Sequence, residues 1–222
     1  MMPFAGGPES LSNGTLLLSA VAAFLHLLML HRPPSWRRTV VKTGSVALLA
    51  VLAQVEGGPL LLVAALALSA IGDAFLAQDG EKAFLGGLAS FLVAHLAYVA
   101  LFVATGAGTE ILAVQPWRLA LPVAVTLTAL PLLRRLLPAA GPNIRPAVGA
   151  YAAAILAMMW SSATVAAPLV MVGAAMFVVS DAILATAKFL FAPASRHHGW
   201  AAPSVWMLYY LAQVAITLAF IL

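Results

Sequence analysis

Apolar residues run along this chain in long stretches, and polar positions gather between those stretches instead of alternating within them. A run of about 17 to 25 such residues is the length at which an α-helix crosses the hydrocarbon core of a bilayer. Eight runs fit, near 15–31, 39–55, 59–78, 83–104, 117–137, 146–161, 166–191 and 203–222, with the second and sixth the shortest. Turn-forming residues fall between them at Pro33-Pro34, Gly57-Gly58-Pro59, Asp79-Gly80, Gly106 to Gly108, Pro138 to Pro146, and Pro193. The expected fold is an all-α, polytopic membrane helix bundle of eight transmembrane helices, forming a single transmembrane domain over residues 1–222. Most connections are too short to hold a soluble domain, so the chemistry is expected inside the bundle.

Composition sharpens that reading. Hydrophobic residues make up 64% of the chain and charged ones 8%, against about 25% charged in soluble domains. There is no cysteine, hence no disulfide framework, thiolate nucleophile or cysteine-ligated metal. The net charge of +4 does not point to nucleic acid, because the lysines and arginines are confined to a few short connections. Residues Met1 to Asn13 carry Glu9 as their one charge, so no cleavable signal peptide with a basic start is expected there.

The basic residues orient the bundle. Arg32, Arg37, Arg38 and Lys42 flank the first connection, and Lys82 lies in the third. Arg134, Arg135 and Arg145 bracket the fifth, and Lys188 and Arg196 the seventh; of the eleven basic residues only Arg118 falls on the other side. By the positive-inside rule the odd-numbered connections are cytoplasmic and both termini lie outside, in what is expected to be a bacterial inner (cell) membrane. Trp36, Trp117, Trp160, Trp200 and Trp206 fall at or near the ends of the runs, as interfacial anchors do.

Two of the seven acidic residues sit inside apolar runs, in near-copies of one hexapeptide: Gly72-Asp73-Ala74-Phe75-Leu76-Ala77 and Ser180-Asp181-Ala182-Ile183-Leu184-Ala185. A charge at such a depth costs roughly 2.5–3.5 kcal/mol on insertion scales, so a pair of aspartates there suggests a site. The plainer reading is a polar contact that fixes helix register. The copies lie 108 residues apart on the third and seventh helices, which run in the same direction and are consistent with two parallel four-helix halves. Both aspartates are expected in the cytoplasmic half of the membrane, with Lys42 one turn into the second helix from the same side. That lysine either snorkels to the headgroups or pairs with an aspartate or a substrate phosphate.

Other polar residues recur at helical spacing. Gly87, Phe91, His95 and Tyr98 form one stripe on the fourth helix, and Gly173, Phe177, Ser180 and Asp181 one on the seventh. Trp206, Tyr210, Gln213 and Thr217 line the eighth, and Tyr151 and Met158 the sixth. Singly, such residues are interhelical glue; converging on two aspartates they favour a polar cavity. Gly86, Ser90 and Ala94 are small enough to let helices approach closely. His197-His198 lacks the i, i+4 spacing of a helical metal pair, and neither a nucleophile elbow nor a phosphate-cradling glycine loop occurs. No metal site is expected.

In this order, Gly72-Asp73-x2-Leu76, Phe91-x3-His95-x2-Tyr98, Gly173-x3-Phe177-x2-Ser180-Asp181-x2-Leu184 and Tyr210-x-Ala212-Gln213-x2-Ile216 resemble the YhhN family. The resemblance runs from Lys42 to the C-terminus. It departs at Lys42-Thr43, where the family's early lysine is usually followed by proline, and some members lack the second aspartate. The family's characterised members are lysoplasmalogenases, integral membrane hydrolases of a vinyl ether bond. The resemblance therefore implies a lysophospholipid substrate among the membrane lipids, no cofactor, and Asp73 and Asp181 as catalytic carboxylates. Lys42, Phe91, His95, Tyr98, Tyr151, Ser180, Tyr210 and Gln213 are then expected to bind substrate. The lipid phosphate is expected near Lys42, Arg145 or Lys188.

The implied chemistry needs a proton donor for the vinyl carbon, and a carboxylate that stabilises the resulting cation or activates water. Paired carboxyls in different environments do this in glycosidases, by analogy. A proton-coupled or lipid transporter would use the same intramembrane aspartates, and a non-catalytic lipid-binding protein would use them to set register.

Overall fold

The computed structural model describes residues 2–192 and 194–222, and among these the chain is helical with no strand. The elements are α1 (Leu11–Met29), α2 (Trp36–Val55), α3 (Leu60–Leu76), α4 (Glu81–Thr105), α5 (Glu110–Val114), α6 (Ala120–Ala139), α7 (Gly141–Ser162), α8 (Pro168–Phe189) and α9 (His198–Ile221). A 3-10 turn over Pro116–Leu119 leads directly into α6. Seven helical runs are long and apolar enough to cross a membrane, and the chain is an integral membrane protein. The remaining apolar helix, α3, has 17 residues, about 25 Å at 1.5 Å per residue and a little under the bilayer's hydrocarbon thickness.

Several boundaries differ from those expected of the sequence, for local reasons. α2 and α7, expected to be short, run to 20 and 22 residues, and α3 is the short one. α1 begins at Leu11 because the Ser10 hydroxyl accepts from the Asn13 backbone N–H, and α2 begins at Trp36 because Ser35 caps Arg38 in the same way. The stretch from Pro138 to Pro146, expected to be an extended break, is almost wholly helical: Pro138 ends α6, Pro142 opens α7, and Pro146 lies within α7. Proline is tolerated in a helix's first turn, where its missing N–H is not needed. The turn narrows to Ala140-Gly141, with Gly141 at φ 76°, a left-handed conformation that favours glycine. The expected break at Pro193 lies outside the described residues.

The chain packs as two compact units, Met1–Leu101 with Ile216–Leu222, and Phe102–Ala215. In the first, α2 packs on both α1 and α3. The Ser19 hydroxyl of α1 donates to the Ser45 carbonyl of α2 at 2.6 Å, and Val46, Leu49, Leu52, Leu62, Ala65 and Leu66 are fully buried. α4 meets α3 through small residues: a Cβ on Gly72 would lie 2.6 Å from the Phe91 ring, one on Gly86 would lie 2.8 Å from Phe75, and the Ser90 hydroxyl donates to the Leu68 carbonyl at 2.6 Å. Without a hydrophobic drive between helices in lipid, such close approach and interhelical hydrogen bonding hold the bundle together.

In the second unit α6, α7 and α8 pack on one another. Arg118, the basic residue set apart by its position in the sequence, is 2% exposed. Its guanidinium donates to the carbonyls of Val165 and Ala166, each at 2.7 Å, and to Gln115 Oε1 at 2.8 Å. It thus supplies donors to carbonyls of the turn between α7 and α8, among them that of the buried Val165.

Candidate functional site

Lys42 and Asp73 form an ion pair, with Nζ 3.1 Å from Oδ1. The geometry follows from the α2–α3 hairpin, whose turn at Gly57-Gly58-Pro59 returns α3 antiparallel to α2 and brings the start of one beside the end of the other. A second contact holds this register, since Gln78 Nε2 donates to Thr39 Oγ1 at 2.9 Å. Asp73 is 1% exposed, and a charge so far from water is tolerable only when paired and hydrogen-bonded. Lys42 therefore does not simply snorkel; its ammonium is spent on the aspartate.

Gly72, next to Asp73, leaves the space that the Phe91 ring of α4 fills, and on the same helix His95 and Tyr98 are fully buried. Ser69, one turn before Asp73 on α3, is also fully buried, and its hydroxyl has no hydrogen-bond partner among the described residues. Sequence reasoning passed over Ser69. The signal was its place on the stripe Ser69, Gly72, Asp73, Leu76 at helical spacing.

In the second unit, Asp181 accepts a hydrogen bond of 2.5 Å from the Tyr151 hydroxyl, linking α8 to α7. Both residues are half-buried. Ser180 is fully buried, and its hydroxyl donates to the Val205 carbonyl of α9 at 2.9 Å, so its polar atom holds two helices together. Tyr210 stacks on Trp206 with centroids 6.1 Å apart, and Gln213 is fully buried.

Arg145 and the paired histidines make contacts of their own. Arg145 Nε donates to the Leu137 carbonyl at 3.1 Å, fastening the start of α7 to the end of α6. Lys188 is exposed in the last turn of α8. His197 Nδ1 accepts from Trp200 Nε1 at 3.1 Å, and both His197 and His198 pack on the Phe191 ring. Among the described residues no group of three His, Asp or Glu side chains is placed to hold a metal ion.

Comparison with known proteins agrees with the motif order. The model of the YhhN family matches residues 37–220, and the chain belongs to that family. It is 36% identical over 190 residues to the lysoplasmalogenase TMEM86B of Sus scrofa, covering 84% of this chain and 76% of that protein. The TMEM86B lysoplasmalogenase of Homo sapiens is 32% identical over 83% of this chain and 76% of its own length. That of Rattus norvegicus is 31% identical over 84% and 74%. No solved structure matches the chain.

Proposed function

We propose that this YhhN-family protein is a lysoplasmalogenase, a membrane hydrolase that cleaves the vinyl ether bond of a lysoplasmalogen. The products are a fatty aldehyde and glycerophosphocholine or glycerophosphoethanolamine. The observation that carries the reading is the buried Lys42–Asp73 ion pair within apolar helices, in a chain related over most of its length to proteins of that name. A carboxylate kept this far from water at the cost of a paired lysine has a use beyond packing.

Hydrolysis begins with transfer of a proton to the vinyl carbon, which leaves an oxocarbenium-like cation stabilised by the ether oxygen. Water adds to that cation, losing a proton to a base. The resulting hemiacetal collapses: its hydroxyl proton returns to the carboxylate that gave the first one, the bond to the glycerol oxygen breaks, and that oxygen takes up the proton the base received from water as the aldehyde departs. Asp73, paired with Lys42, stabilises the cation and receives the proton of the attacking water. The first proton comes from a carboxylic acid, the role that the resemblance to the family leaves for Asp181, whose carboxylate accepts from the Tyr151 hydroxyl. Nothing in this scheme requires a metal or a nucleotide. The alkenyl chain lies among apolar helices, as the depth of the carboxylates requires.

In this reading α3 also crosses, tilted little, giving eight spans with the reaction in the cytoplasmic half of the membrane and both ends outside. The test is purified protein in detergent with a lysoplasmalogen and an excess of chelator: aldehyde release at the rate seen without chelator supports the reading. Substrate transfer across vesicles with no aldehyde would replace it with the carrier. Activity lost in chelator and restored by zinc would overturn the metal-free scheme.

A further inference from the structure

Lys42 is engaged by Asp73 and Arg145 by a backbone carbonyl, and Lys188 lies exposed at the end of α8, which leaves room for another partner of the proposed substrate's phosphate. We propose that Arg38 is that partner, its half-buried guanidinium forming the anion site for a phosphodiester headgroup. The inference rests on the hydrolase reading for the identity of the lipid, but not for the existence of the site.

Arg38 lies one helical turn before Lys42, on the same face of α2. Its Nη1 donates to the Arg32 carbonyl at 3.2 Å, which anchors one edge of the guanidinium. Its Nε is buried and has no acceptor among the described residues. Nε and Nη2 form the other edge of the fork, two nearly parallel donors matched to two oxygens of a phosphate. A buried donor on a cation with nothing to accept from it is costly, and a bound anion removes that cost.

Charge and distance agree. The charges of Arg38 and Lys42 both bear on His26 of α1, which is 1% exposed and lies against the Arg38 backbone. Asp73 offsets Lys42, so Arg38 is left as the net positive charge of this cluster, and a phosphodiester carries one negative charge. The neighbouring Arg37 is turned onto the Trp36 ring, 5.5 Å from its centroid, and does not compete. Four residues of helix separate Arg38 from Lys42, about 6 Å of rise. That is close to the span of a glycerol backbone with one phosphate ester oxygen, so a phosphate on Arg38 puts the vinyl ether at the level of the ion pair.

The experiment compares a 1-alkenyl-glycerophosphocholine with the 1-alkenylglycerol that lacks the phosphate, in wild type, Arg38→Met and Arg38→Lys. The same proteins are titrated with lysophosphatidylcholine and monoacylglycerol as non-cleavable ligands. Wild type is expected to favour the phosphate-bearing lipid in both assays. Arg38→Met should lower that preference by about ten- to a hundredfold, chiefly through KM, and Arg38→Lys should keep part of it. A preference unchanged in Arg38→Met, or absent in wild type, overturns the anion site. Phosphate-selective binding lost in Arg38→Met, with no aldehyde from any protein, sustains the site and sinks the hydrolase reading instead.

Discussion

Lys42 Nζ stands 3.1 Å from Asp73 Oδ1, joining two helices through a pair almost closed to water. The partners lie 31 positions apart in the chain, and the α2–α3 hairpin alone brings them together. The pair links fold to the candidate site, because the contact that fixes the register of the hairpin also places an ammonium against the carboxylate.

Removing one partner should therefore cost more than removing both. Lys42→Met strands a buried carboxylate, a loss of about 3–5 kcal/mol, and should depress both thermal stability and turnover. Combining Lys42→Met with Asp73→Asn should restore much of the stability and none of the activity. Thermal unfolding in detergent of the two single variants and the double variant measures this. Strictly additive losses would show that the contact carries no coupling.

Tyr151 holds Asp181 by one hydrogen bond. Tyr151→Phe keeps the ring packing and deletes that bond, so kcat should fall by about three- to tenfold while KM changes little. Steady-state kinetics with a lysoplasmalogen decide it. An unchanged kcat would make Tyr151 a packing residue.

Reporters fused to the two ends should both report the external compartment if α3 crosses along with the seven longer helices. Opposite locations would mean that α3 does not span the membrane, and would remove the shared depth assigned to the two aspartates.

Much of this was legible in the sequence. The class of fold followed from the apolar runs, and the family from ordered motifs around Asp73, His95, Asp181 and Gln213. The use of Lys42 was legible only as a pair of alternatives, because snorkelling and ion pairing place the same residue at the same depth. The α6–α7 turn was misread, since a proline such as Pro142 suits the first turn of a helix as well as a loop. Ser69 was passed over, and Arg38 was read only as one charge among several. Their significance lies in hydrogen-bonding groups left without acceptor or donor, which is a property of the packed structure and leaves no mark on the sequence.

The account stands or falls on Asp73. Asp73→Asn keeps the shape and hydrogen-bonding capacity of the side chain but can neither carry the negative charge nor take a proton from water. General acid–base assistance is worth about 10²–10⁴ in rate. The measurement is aldehyde release from a lysoplasmalogen by purified Asp73→Asn, with lipid binding and thermal unfolding followed on the same sample. The expected result is a fall in kcat of that size with binding retained, and the same loss in the charge-neutral Lys42→Met, Asp73→Asn double variant. Near-normal turnover by folded Asp73→Asn would contradict the account, making the pair structural and moving the search for the catalytic groups to His95 and Tyr98.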